Sequence, residues 1–255
     1  MNRWLVGLAL VAGCGGSGGS EPVVDAAEPS TTLSGVVTDL AGKPVGGAQI
    51  QICGAACQLG TTDTAGRFVY PSVIEGDAYH LSVRGPREDP RAFAPVVFTL
   101  LVPKGVATTA PTVKLPETKA RVALPTDGKP LALDAALSLT LDPKALTTPD
   151  DTAPTAVAGV RVPPSAWPTY ALGGKVLAMW ALDPFDTRST TAIGVRITES
   201  FGATVMPAVY VVDADTGKAR RAAPATLGTD GAITTAPKEG LDRLTWLLLV
   251  DETKP

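Results

Sequence analysis

Apolar and polar positions alternate along most of this chain at the two-residue period of a β-strand. Leu33-Ser34-Gly35-Val36-Val37-Thr38 opens the series, and Ala48-Gln49-Ile50-Gln51-Ile52 repeats it strictly. Arg67-Phe68-Val69-Tyr70 and Ala78-Tyr79-His80-Leu81-Ser82-Val83 follow, with 94–102 and 107–115 as two further strands. Pro95 places the start of the first of these at a sheet edge. Turn residues punctuate the series. In Asp39-Leu40-Ala41-Gly42-Lys43-Pro44, Asp can bond its own downstream backbone, Gly allows positive φ and Pro presets φ. Thr61-Thr62-Asp63-Thr64-Ala65-Gly66 and Gly76-Asp77 do similar work. Evenly spaced short strands predict a small antiparallel β-sandwich over residues 31–115.

The pattern continues over residues 116–255. Lys119 to Leu124 alternates and ends at the turn Pro125-Thr126-Asp127-Gly128-Lys129-Pro130. Leu137 to Leu141, Val160 to Val162, Val176 to Leu182, Ile193 to Ile197, Val209 to Val212 and Leu244 to Val250 read as strands. Residues 142–156, rich in Pro, Thr and Asp, read as a loop. Turns are expected at Gly173-Gly174, Asp215-Thr216-Gly217-Lys218 and Thr229-Asp230-Gly231. Trp246 to Val250 is apolar throughout, which suits a central strand buried on both faces. No segment combines a helical period with caps. The predicted class is all-β, with two consecutive β-sandwich domains.

The N-terminus departs from this pattern. Met1-Asn2-Arg3 precedes an apolar run from Trp4 to Ala12, then Gly13-Cys14. A basic start, a short apolar stretch and small residues before a cut make an export signal. The run is too short to cross a bilayer, which takes about 20 apolar residues. Val11-Ala12-Gly13-Cys14 resembles the lipobox of bacterial lipoproteins. That resemblance implies a signal peptide over 1–13, cleavage before Cys14, and a diacylglyceryl group on its thiol. It also implies acylation of the new amine, with chains such as palmitate. Two or three acyl chains anchor stably where one does not. The alternative is an ordinary secretory signal in which Cys14 is incidental. Gly15-Gly16-Ser17-Gly18-Gly19-Ser20 is a flexible linker by composition, so 14–30 reads as the lipidated cysteine and a disordered tether. In lipoproteins of two-membrane bacteria an Asp after the Cys favours the inner membrane. Gly15 at that position implies a cell-envelope location at the outer membrane.

Composition narrows the function classes. Charged residues are 18 % of the chain, Gly and Pro number 26 and 23, and the formal net charge is −3. Without a basic stripe, no nucleic-acid partner is expected. Beyond Cys14 there are two cysteines, Cys53 and Cys57. An exported chain meets an oxidising compartment where disulfides persist, and Gly54 helps the turn that would bring them together. A disulfide is expected, against free thiols, a metal site or a catalytic Cys–His pair. Zinc needs about four ligands, and His80 is the one histidine. No metal or cofactor is expected.

Two family resemblances bear on function. Gly35-Val36-Val37-Thr38-Asp39, Gly42, Pro44-Val45, Gly47-Ala48, Thr62-Asp63, Gly66, Phe68, Gly76, Tyr79, Leu81 and Val83 together resemble the carboxypeptidase regulatory-like domain. The resemblance implies a transthyretin-like β-sandwich serving as a structural or interaction module. The Cys53–Cys57 segment departs from that pattern. Residues 116–255 are similar in the order of their pieces to the β-sandwich of ankyrins and netrin receptors and to the GAIN domain, with Leu244-Thr245-Trp246 as the closing motif. GAIN domains place a self-cleaving His before that Leu. Here the residue is Arg243, which stays protonated and cannot act as a base.

Other candidates are weighed against simpler roles. Asp213-Ala214-Asp215-Thr216-Gly217 has a fragment of calcium-loop spacing, but Lys218, Arg220 and Arg221 follow where ligands are needed. It reads as a hairpin turn. Asp183 and Asp186 also offer two carboxylates, and paired acids can hydrolyse glycosides, but any β-rich chain has such pairs. Trp180 and Trp246 read as core. Trp167, in a Pro-rich loop, either packs beneath that loop or stacks on a sugar ring. His80 reads as a surface histidine. The expectation is a membrane-anchored structural or binding module without catalytic activity, with an envelope protein or a glycan as partner. The alternative is a carbohydrate-active or peptidase-associated hydrolase.

Overall fold

The computed structural model describes residues 31–73, 78–89, 91–118, 121–126, 128–202 and 204–253. The signal, Cys14 and the tether lie outside the described residues, as do the Gly76-Asp77 turn, Lys119 and Asp127. Every regular element longer than one turn is a β-strand, and the expected all-β class holds.

The first unit contains β1 (Thr32–Asp39), β2 (Gln49–Cys53), β3 (Cys57–Thr61), β4 (Arg67–Tyr70), β5 (Ala78–Arg84), β6 (Val96–Leu101), β7 (Ala107–Thr109) and β8 (Val113–Leu115). One sheet runs β3-β2-β5-β6. In the other, β4 lies antiparallel on one edge of β1, and β7 and β8 run parallel along its other edge. An all-antiparallel sandwich was expected. The parallel pairing arises because the chain crosses from β6 to the opposite sheet before β7. Local turn chemistry works as the sequence predicts. The Asp39 carboxylate accepts the backbone N–H groups of Ala41 and Lys43, both at 2.9 Å. Asp63 does the same for Ala65 and Arg67. Gly66, at φ 73°, leaves no room for a side chain: a Cβ would lie 2.4 Å from the Val37 carbonyl.

The expected disulfide joins Cys53 to Cys57. The two residues face each other where β2 meets β3, and the Gly54 N–H closes the turn on the Ala56 carbonyl at 3.0 Å.

The second unit contains β9 (Val122–Ala123), β10 (Leu131–Ala132), β11 (Leu137–Thr140), β12 (Leu146–Thr147), β13 (Ala156–Arg161), β14 (Lys175–Asp183), β15 (Thr187–Ile197), β16 (Pro207–Val212), β17 (Ala219–Leu227), β18 (Ile233–Thr235), β19 (Leu241–Leu244) and β20 (Trp246–Asp251). They form one antiparallel sheet in the order β10-β11-β15-β18-β17-β16-β20-β14-β13-β9, curled until it nearly closes. β12 and β19 also pair with β15. The curl encloses a core of Leu137, Leu139, Trp180, Leu182, Ile193 and their neighbours.

Two strands, β17 and β18, carry no alternation that marks them in the sequence. β17 holds Arg220, Arg221 and Pro224, and Pro is rare in a strand flanked on both sides. It is accommodated beside a bulge. Val209 pairs with Ala223 and Tyr210 with Arg221, so Ala222 is the extra residue.

The two units share a core. Along β20, Leu247 and Leu249 point into the curled sheet, whereas Trp246, Leu248 and Val250 point out of it. β14 and β16 alternate in the same way, with Met179, Ala181 and Val212 pointing out. These outward side chains belong to the same apolar cluster as Leu33, Ile50, Tyr79 and Leu81 of the first unit. All six residues of β20 are buried, the apolar run Trp246 to Val250 as predicted and the polar Asp251 with it. Polar bonds fix the junction. The Trp246 indole N–H donates to the Pro95 carbonyl at 2.6 Å, Tyr170 Oη to the Val97 carbonyl at 2.8 Å, and Thr99 Oγ1 to the Thr216 carbonyl at 3.1 Å.

A shared core predicts joint unfolding. Leu248→Ala should cost about 2–5 kcal/mol and lower a single calorimetric transition. Two transitions, only one of them shifted, would contradict the shared core. The disulfide closes a small loop, so the chain-entropy model assigns it roughly 2 kcal/mol. Replacing both cysteines with Ser should lower the melting temperature modestly, and mass spectrometry of the unreduced wild-type protein should find neither thiol alkylatable.

Candidate functional site

Where the first unit meets the second, a cleft of about 650 Å³ opens. One wall is β6 and the segment leading into β8. The other is the loop 165–171, and the β16–β17 turn closes one end at Gly217 to Ala219. That turn is built locally. The Asp213 carboxylate accepts the N–H groups of Asp215 and Thr216 and the Thr216 hydroxyl, while the Gly217 N–H bonds the Asp213 carbonyl. Gly217 is required twice over. Its φ is 64°, and a Cβ there would lie 2.6 Å from the Phe98 backbone. The calcium-like spacing at 213–217 is therefore a hairpin turn pressed against β6.

Trp167 lines this cleft. A short 3-10 turn over Pro164–Ala166 carries it, and its indole N–H is held by the Val162 carbonyl at 2.8 Å. The ring is half-buried against the shared core. It is thus anchored beneath its loop and also presented to the cleft. Thr99, Thr112, Ser165, Thr169, Lys114 and Lys218 are polar residues of the same lining, the Thr99 hydroxyl donating to the Thr216 carbonyl. Leu101, 68 % exposed, adds an apolar patch. Among the described residues, no carboxylate, imidazole or thiol lines the cleft. Trp180 and Trp246 are fully buried, as expected. Trp180 donates to Asp134 at 2.7 Å and lies under the Arg161 guanidinium, 4.3 Å from its ring centre.

The acidic candidates lie elsewhere and are occupied. Asp183 is held by Arg121. Asp186 and Asp213 are both held by Arg243, at 3.3 and 3.5 Å. Arg243, which stands where the resemblance to GAIN domains would place a His, is therefore an ion-pair hub. Burial and the neighbouring Asp215 and Asp213 carboxylates push the Asp186 pKa up, against the pull of Arg243 and Arg188. Asp213 is depressed: burial opposes its ionisation, but the Thr216 hydroxyl and N–H overcome that. Among the described residues, no cluster of three His, Cys, Asp or Glu side chains could hold a metal ion.

His80 is not on the open surface. It sits half-buried on β5, opposite Cys53 on one side and Thr99 on the other. Its Nε2 is buried without a hydrogen-bond partner among the described residues. Burial lowers its pKa, partly offset by the Asp215 and Asp213 carboxylates of the adjoining turn.

The cleft was not legible in the sequence, because its walls come from segments far apart in the chain. Trp167 alone gave a signal, as an aromatic residue between prolines. No family model matches this chain, and no curated protein matches it. Among solved structures, it is similar to a Bacteroides uniformis protein described as "a putative carbohydrate binding protein". The identity is 12 %, the match covers 89 % of this chain and 81 % of that one, and the TM-score is 0.28. That score is too low to carry an argument about this chain.

His80 gives a pH prediction. Its folded pKa lies below the ordinary value of 6.5. Well above 6.5 the imidazole is neutral in both states and contributes nothing. As the pH falls below 6.5 the unfolded chain takes up a proton that the folded chain refuses, so stability is lost until the folded pKa is passed. The melting temperature should therefore fall between about pH 7.5 and 5.5, and His80→Gln should flatten that fall. An identical slope in the variant would sink the assignment.

Proposed function

We propose that this protein is a non-catalytic binding module that holds a glycan in the cleft beside Trp167, tethered to an envelope membrane by lipid on Cys14. The cleft's lining carries the reading. A fixed aromatic ring offers an apolar face, and the lining also includes Ser, Thr and Lys side chains able to hydrogen-bond. Such sites combine an apolar surface with a few placed polar groups that set orientation. A pyranose ring has the matching chemistry, with C–H faces to lie on the indole and hydroxyls at the rim. Hydrolysis of a glycosidic bond would need two carboxylates flanking the ligand, and the candidate pair, Asp183 and Asp186, is held by Arg121 and Arg243 and does not line the cleft. That favours binding over turnover. The lipid anchor rests on the lipobox-like Val11-Ala12-Gly13-Cys14, and the envelope location on the same motif.

The test has two arms. On an array of neutral oligosaccharides, the protein should retain at least one. By calorimetry, Trp167→Ala should weaken that sugar by at least about tenfold, or ~1.4 kcal/mol. Trp167→Phe should lose less, since the ring face remains. Absence of any sugar on the array, or full affinity in the Ala variant, would overturn the glycan reading. Cys14→Ala should move the protein out of the detergent phase. If it stays there, the anchor is wrong.

A further inference from the structure

Away from the cleft, the outward face of β3-β2-β5 carries a second depression of about 590 Å³. Strand register builds its floor. Gln49 pairs with Thr61 on one side and Arg84 on the other, making one row across three strands. Gln51 pairs with Leu59 and Ser82 in the next row. Alternate residues of a strand share a face, so these six side chains share the outward face while Ile50 and Ile52 enter the core. Arg87, in the loop after β5, also lines the depression.

Two observations point to an acidic occupant. Several other arginines hold carboxylates: Arg91 binds Asp39 and Asp89, Arg196 binds Asp230, and Arg221 binds Glu252. Arg84 and Arg87 are exposed, and neither has an ion-pair partner among the described residues. Among the described residues, no acid lines the depression. The glutamines are also underused. Gln49 has no side-chain partner among the described residues, and Gln51 gives one N–H to Cys53 Sγ at 3.3 Å. An amide can donate and accept at once, which suits vicinal hydroxyls. A guanidinium fork grips a carboxylate through two parallel bonds. Residues two apart on β2 place the amides about 6.5–7 Å from each other along the strand.

We propose that this depression is a second glycan site, selective for a sugar bearing a carboxylate. Arg84 and Arg87 hold the carboxylate of a uronate unit, and Gln49 and Gln51 take its hydroxyls. The site rests on the glycan-binding reading of the protein but uses none of the residues of the Trp167 cleft.

Titration calorimetry with trigalacturonate tests it. Wild-type protein should bind, and binding should weaken as salt rises from about 50 to 300 mM, since both arginines are exposed. Arg84→Gln/Arg87→Gln should lose at least tenfold, as should Gln49→Ala/Gln51→Ala, with melting temperatures unchanged. Trp167→Ala should bind trigalacturonate as wild type does. No binding at low salt, or full affinity in the arginine double variant, would overturn the site. Equal affinity for hexaglutamate would also overturn it, by reducing it to charge attraction. Trigalacturonate binding that vanishes only in Trp167→Ala would move the ligand to the cleft and refute this second site. If neutral sugars fail at the cleft while trigalacturonate binds through the arginines, the cleft reading falls alone.

Discussion

Burial of β14, β20 and β16 on both faces is the constraint from which the rest of this structure follows. A sheet in a lone β-unit can leave one face to water, and its strands then alternate. Here Trp246, Leu248 and Val250 point away from the interior of their own sheet, and so do Met179 and Ala181. Without the first unit these side chains would meet water, and the Trp246 indole N–H would lose the Pro95 carbonyl. Each large apolar side chain left exposed forfeits about 1.5–3 kcal/mol. The first unit is thus the missing layer of the second. Its own sheets contribute Leu33, Ile50, Tyr79 and Leu81 to the same cluster.

That shared layer also decides where polar groups can sit. At the edge of the apolar contact lie the groups that could not enter it: His80, Asp213, Asp215, Asp186 and Arg243. Arg243 is only 16 % exposed, so its charge needs partners, and two carboxylates supply them. Removing one member of such a set would leave an unpaired charge, which is far costlier than the set's net stabilisation. His80 has the opposite solution. Burial lowers its pKa against the pull of the nearby acids. The cleft forms just beyond, where the loop carrying Trp167 stands off from β6.

The sequence showed the class and most of the strands, and it did so where a strand has one wet face. β2 reads as Gln-Ile-Gln-Ile because one face is core and the other is not. β20 was legible for the opposite reason, its apolar run signalling two dry faces. β17 was not legible: its burial follows no two-residue period, it contains Pro224, and its bulge shifts the phase midway. Residues 107–115 were read as one strand where the structure has two, β7 and β8, and their parallel pairing was not seen, because pairing direction is set by the path of the chain between sheets. The disulfide was legible from the close spacing of Cys53 and Cys57 together with the expectation of export. His80 was misread because a polar residue on an alternating strand implies an open face, and nothing local shows that a distant turn covers it.

The two candidate sites relate differently to this architecture. The cleft draws its lining from both units, with Thr99 and Lys114 on one side and Trp167 and Lys218 on the other. A ligand that fills it bridges the junction and binds only when the units are docked. Its binding free energy therefore adds to the stability of the docked state. The depression on β3-β2-β5 draws its lining from residues 49–87 alone. A ligand there leaves the junction contacts as they are and stabilises the first unit through its own hairpin. Because β20 ties the two units into one core, both effects reach the whole chain. The cleft alone depends on the orientation of one unit against the other. That orientation is fixed by the Trp246, Tyr170 and Thr99 hydrogen bonds, and one of their carriers, Thr99, also lines the cleft.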